Sequence, residues 1–288
     1  MIGIARSCCQ NDGDFHLSIE DNVYAFDATV IDLCLNIFWW ATFRKTKGAV
    51  KIHTLYDIKT SIPSFVYITP GDTHEVKGLD VLEYEAGAYY ILDRGYLDFK
   101  RLYYIHQQQA FFVTRAKHNS DLTRIYSSKV NKKSGVRSDQ IVKPANFYPQ
   151  RDYPEKLRRI KFYDEEQSRT LIFLTNNFTL KAIDIAALYK YRWKIELFFK
   201  WIKQHLKIKS FWGTSSNAVK TQIYIAIITY TLIAIIRSRL KLNRSNYEIL
   251  QILGVSLLDK TQLNQLLSDP VNQNVKEQIY NQLELSLI

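Results

Sequence analysis

The chain is poor in cysteine, and its three thiols, Cys8, Cys9 and Cys34, include an adjacent pair that cannot readily bridge. No C-x-x-C spacing occurs, so neither a disulfide framework nor a cysteine-built zinc site is indicated, and a reducing, cytoplasmic setting fits best. The opening segment MIGIARSCCQNDGDFH lacks the apolar stretch and small-residue cleavage site of a secretory signal. Long apolar runs are also scarce. The most lipid-like one, Ile223 to Ile236, falls short of the roughly 20 residues that span a bilayer and reads as a buried helix. Internal repeats are absent.

Acid is in deficit as well. Across 288 residues, 28 Asp and Glu face 39 Lys and Arg, a net charge of +11 that favours a polyanionic partner, nucleic acid above all. Hydrophobic residues make up 47% and aromatics 14%, ample for a globular core.

Apolar patterning gives a strand through NVYAFDATV ending near Asp27, two further strands in KGAVKIHTLYDI and IPSFVYITPG, and a helical segment around Glu75 to Tyr84. The strand AYYILD, a helix from about Leu97 to Gln107 and the strand AFFVTRA follow as a β-α-β pattern. Residues 118–169 are polar, basic and poorly periodic, and read as an inserted, mostly β segment. TLIFLTNN restores a strand. One helix over Leu180 to Leu206 and another over Asn217 to Leu240 come next, before shorter helices whose apolar positions include Ile249, Leu250, Ile252, Leu253, Leu257 and Leu258.

The Leu180–Leu206 segment holds the most informative pattern. At about 100° per residue, Tyr189, Arg192, Glu196 and Lys203 share an arc of roughly 60°, placing one carboxylate in a basic, aromatic stripe. Leu188, Ile195, Phe198, Phe199, Ile202 and Leu206 form an apolar arc on the other side, which would fix the stripe's direction. Two more acids stand at strand ends, Asp27 in AFDAT and Asp93 in ILDRGY. Taken singly, Asp27 is also explained as a turn former, Asp93 as a helix cap and Glu196 as a solvated ion pair. Together they match a divided site for two Mg²⁺ ions, where hard oxygen ligands come from several rigid elements.

The ordered residues resemble the DDE transposases of bacterial insertion sequences, specifically the insertion sequence 4 group with its Y-x2-R-x3-E-x6-K signature, matched at Tyr189, Arg192, Glu196 and Lys203. The likeness extends to Asp93, Gly95 and Tyr96, to Asp27 and Thr29, and along most of residues 22–258. It implies an α/β fold: an RNase H-like catalytic core over 22–117 and 170–240, a β-rich insertion over 118–169 between the second Asp and the Glu, and a C-terminal helical tail over 241–288. It further implies that Asp27, Asp93 and Glu196 are catalytic and bind two Mg²⁺ ions, for which Mn²⁺ would substitute. Tyr189, Arg192 and Lys203 would grip DNA phosphates. The implied reaction is cleavage and strand transfer on double-stranded DNA, with a homodimer in the DNA complex.

Only about 26 residues precede Asp27, so residues 1–21 read as a short leader, a remnant of a missing end-recognition module. Two other readings stay open: a general RNase H-like nuclease, which the same three acids would serve, and, from that departure and the basic surface, a catalytically idle DNA-binding remnant. Lys132, Lys133, Arg137, Arg158, Arg159 and Lys161 are candidate backbone contacts, as are Arg44, Lys45, Lys47 and Lys51. Core packing is the expectation for Trp193, Trp201 and Trp212, and no role is assigned to His53 or His74.

Overall fold

The computed structural model describes residues 1–10, 14–44, 47–117, 120–206, 208, 210–256 and 258–267. Its frame is a 10-stranded mixed sheet. The first strand, β1 (Val23–Leu33), pairs antiparallel with β3 (Lys47–Asp57), which carries β2 (Thr42–Arg44) and the antiparallel β4 (Ile62–Pro70). On its other side β1 runs parallel to β5 (Tyr89–Leu92), and β5 parallel to β6 (Phe111–Arg115). The sheet continues through β10 (Arg169–Thr175), β9 (Leu157–Asp164), β8 (Val136–Pro144) and β7 (Leu122–Ser128), all antiparallel. The strand expected to stop near Asp27 runs six residues further, because β3 pairs with it as far as Leu33.

Alternation along β1 divides the core. Val23, Ala25, Ile31 and Leu33 join the cluster formed with α4 (Ala182–Lys190), α5 (Trp193–His205) and α6 (Ser216–Arg239), while Tyr24 and Phe26 join Leu79, Tyr90 and Tyr96 on the opposite face. There a 3-10 turn (Glu75–Val81) and α2 (Phe99–Gln107) cover the sheet. Two helices close the description, α7 (Asn246–Val255), opened by a Ser245–Glu248 capping box, and α8 (Leu263–Leu267). Leu257 lies outside the described residues.

Several expectations change. The leader forms a helix, α1 (Ile2–Cys8), whose Ala5 and neighbouring Cys9 pack against Ala234 and Ile235 of α6, while Arg6 donates to Asp57 Oδ2 at 2.9 Å. The apolar run at 223–236 lies within a 24-residue helix, α6, which is long and apolar enough to cross a membrane by length and composition. One side is buried, but Tyr224, Ile225, Ile228 and Leu232 are exposed. Trp193 and Trp212 are also exposed, and of the three tryptophans expected in the core Trp201 alone packs against it.

Two candidate DNA contacts turn inward. Lys51 is buried and donates to Thr73 O at 2.7 Å. Arg158, 8% exposed, forks onto Asp139 with 2.9 and 2.7 Å bonds and sends Nη1 to Leu180 O at 2.6 Å, tying β9 to the segment that enters α4. Removing one partner of so buried a pair strands the other charge. Asp139→Ala should therefore cost about 3 kcal/mol in urea denaturation, whereas Lys132→Ala and Lys133→Ala on the exposed turn should stay within about 0.5 kcal/mol.

Candidate active site

Register brings the two aspartates together. Val23 pairs with Tyr89 and Phe26 with Leu92, so one more step of the same parallel offset sets Asp27 level with Asp93, just where β5 ends. Asp27 has the parity of Ala25 and Ile31 and so faces the α4–α5 layer. Beyond β5 the chain turns into a 3-10 turn (Arg94–Tyr96), and Asp93 caps it by accepting from Gly95 N at 3.3 Å. The cap engages Oδ2, and Oδ1 faces Tyr189 and Arg192.

The single helix read over Leu180–Leu206 is two helices. Through the junction the backbone bonds tighten to i→i−3: Tyr191 N to Leu188 O, Arg192 N to Tyr189 O, Lys194 N to Tyr191 O and Ile195 N to Arg192 O. This overwinding separates Tyr189 on α4 from Glu196 and Lys203 on α5 and puts Arg192 at the hinge. The apolar arc holds nonetheless, with Leu188, Ile195, Phe198, Phe199 and Ile202 buried.

Arg192 joins all three acids. Its Nη1 donates to Asp27 Oδ2 at 3.2 Å, its Nη2 donates to Glu196 Oε1, and its Nε stands 4.0 Å from Asp93 Oδ1. Tyr189, mostly buried against Phe173, donates its hydroxyl to Asp93 Oδ1 at 3.3 Å, and Lys203 Nζ donates to Val30 O at 2.8 Å, lashing α5 to β1 three residues beyond Asp27. Tyr189 and Arg192, expected on DNA phosphates, therefore have their polar groups on the acids, while Lys203 reaches the β1 backbone. A cavity of about 310 Å³ opens beside them, lined by Phe162, Arg169, Phe173, Tyr189, Arg192 and Trp193 among others.

Electrostatics distinguish the two aspartates. Burial lifts Asp27 from its ordinary 3.8 to about 6, reinforced by the charges of Asp93 and Glu75 and opposed by the Ala28 amide and Arg192. Burial pushes Asp93 in the same direction, but the Arg94 amide, Arg192, the Gly95 amide and the Tyr189 hydroxyl together outweigh it and hold Asp93 below the usual range. Burial raises Tyr189 to about 12, which keeps it a neutral donor. Glu75, whose charge reaches Asp27 from the turn after β4, carried no spacing signal in the sequence. Tyr96, noted beside Asp93, proves to have a buried hydroxyl without a hydrogen-bond partner.

Three carboxylates are the right donors for a hard divalent ion. Among the described residues, however, no three acidic, histidine or cysteine side chains are close enough together to chelate an ion as they stand. The guanidinium of Arg192 lies among the three acids.

The raised pKa of Asp27 has a sign. Between about pH 4 and 6 the folded chain holds a proton at Asp27 that the unfolded chain has released, so stability from this group is lost as pH rises through that window. In chelator-treated protein, Asp27→Asn should match the parent near pH 4 and exceed it by on the order of 2 kcal/mol at pH 7. Parallel urea midpoints for the two proteins across that range would show that the charge costs nothing.

Comparison with known proteins gives the family of the chain. The family model described as the transposase DDE domain matches residues 19–232. A protein of Sinorhizobium fredii named as a transposase is 36% identical over 229 residues, covering 78% of this chain and 63% of the relative. One named as the transposase of an insertion sequence element in Geobacillus stearothermophilus is 28% identical over 234 residues, covering 81% and 61%. The chain thus spans somewhat under two thirds of these relatives' lengths. A piggyBac transposase, solved as a synaptic complex with hairpin DNA, superposes with a TM-score of 0.49 at 11% identity over 96% of this chain and 59% of that one. With the family model covering most of its length, the chain belongs to the DDE transposases.

Proposed function

We propose that this chain carries the catalytic centre of an insertion-sequence transposase and acts on double-stranded DNA by phosphodiester cleavage followed by strand transfer. The observation that carries this reading is the meeting of Asp27, Asp93 and Glu196, 66 and 103 residues apart along the chain, around one guanidinium. The strand order β4-β3-β1-β5-β6, with three parallel strands beginning at β1, supports an RNase H-like core. On this reading β7, β8 and β9 belong to an insertion that extends the core sheet.

Asp27, Asp93 and Glu196 would hold two divalent ions, Mg²⁺ or in its place Mn²⁺. Bound there, the ions would activate the attacking oxygen and stabilise the leaving one. The protein's own contribution is positional. Asp27 is fixed by the pairing of β1 on both sides, Asp93 by its cap and Tyr189, and Glu196 by the buried face of α5. Arg192 and Lys203 bring positive charge to the edge where a phosphate backbone would lie, and the net charge of +11 favours its approach. A cytoplasmic location and pairing of two chains on two DNA ends complete the proposal.

The test uses pre-cleaved element ends and a target duplex with Mg²⁺ or Mn²⁺. Joined products should form, disappear with a chelator, and fall at least about 100-fold in Glu196→Gln and Asp93→Asn. Unchanged joining in Glu196→Gln would refute the catalytic assignment, and nicking without joining would favour a nuclease.

A further inference from the structure

We propose that Arg192 is a built-in counter-ion that competes with divalent metal for the acidic site, so that metal entry requires its guanidinium to leave. The inference rests on the reading of the three acids as metal ligands and adds a role for the arginine between them.

Arg192 spends its three nitrogens on three different carboxylates, through Nη1 to Asp27, Nη2 to Glu196 and Nε toward Asp93. Its side chain is 19% exposed and that of Asp27 17%, so neither ion is fully solvated and each depends on a partner. A divalent cation held by the same oxygens at about 2.0–2.6 Å cannot share them with a guanidinium, on grounds of space and of like charge. Two cations therefore exclude each other from one set of acids.

The surroundings give the displaced group somewhere to go. Arg192 also lines the cavity of about 310 Å³ between the β9–β10 hairpin and the α4–α5 junction, where Asp164 and Glu166 stand beside Arg169 and Lys190, Glu166 is paired with Lys190 at 3.3 Å, and the Tyr189 ring offers a face already 6.0 Å from the guanidinium. The i→i−3 bonds on either side hold its backbone in place. Swung outward, the same fork would meet a DNA phosphate, so loading of the ions and gripping of the backbone become two halves of one exchange.

The test is metal binding by the DNA-free chain, with Mn²⁺ as probe and bound ion counted by electron paramagnetic resonance. Arg192→Gln, which removes the charge, should bind Mn²⁺ at least about tenfold more tightly than the parent, and Arg192→Lys should fall between them. In the Asp27→Asn, Glu196→Gln double variant the signal should vanish, which assigns the binding to this site. Equal or weaker binding by Arg192→Gln, with the parent binding measurably, would overturn the competition and leave the metal site standing. Absence of binding in the parent and in both arginine variants would instead remove the metal-site reading, and this proposal with it. Should Arg192→Gln fold poorly, Arg192→Lys retains a charge with a single donor group, and an affinity no higher than the parent's would equally overturn the competition.

Discussion

Three carboxylates gathered around one partly buried guanidinium repel one another, and away from bulk water that repulsion needs a positive charge to offset it. Everything local answers to that constraint. Arg192 supplies the positive charge that touches all three acids, and the tightened winding between α4 and α5 delivers it. A regular helix through this region would keep Tyr189 and Glu196 on one continuous face. The overwound junction divides them, so that Tyr189 reaches Asp93 while Glu196 stays four residues from Arg192 on the next helix.

Holding such a site demands rigidity on every side, and each wall uses a different device. β1 is paired along its length by β3 and near its start by β5, so Asp27 is fixed by main-chain bonds. α5 is pressed onto the sheet by Ile195, Phe198 and Ile202 and lashed to β1 through Lys203 and Val30. α4 is set by the segment that precedes it. There Asn177 accepts from the amides of Thr179 and Leu180, and Arg158 grips the Leu180 carbonyl while paired with Asp139. The strands beyond β6 therefore do more than widen the sheet, since their buried ion pair helps to position the helix bearing Tyr189.

Much of this was legible in the chain itself. Apolar runs marked β5 and β6 because strands buried on both faces need little polar punctuation, and β3 and β4 were legible as strands beside them. The apolar arc of α5 was equally plain. What patterning could not reveal was the break between α4 and α5. No proline or glycine stands there, and a change from i→i−4 to i→i−3 bonding leaves the local composition helical. Arg158 and Lys51 misled for a related reason: charge counts mark where cations occur, whereas burial depends on which carboxylate or carbonyl the fold brings to meet them. Trp193 and Trp212 erred in the other direction, with large aromatics left exposed beside the signature helix.

The opposite displacements of Asp27 and Asp93 show how one site divides its labour. Asp93 lies at a turn where the Arg94 and Gly95 amides and the Tyr189 hydroxyl join Arg192 in favouring its negative form, so part of its stabilisation is built into the turn itself. Asp27 is buried within a strand, where a single amide and Arg192 are the favourable contacts set against burial and two neighbouring acids. Its charge is therefore costly even beside Arg192, and the cost grows if Arg192 turns away with nothing in its place. An acid of that kind either keeps its proton or has a positive group before it: Arg192 in the resting chain and, on the proposed reading, an ion brought from solution.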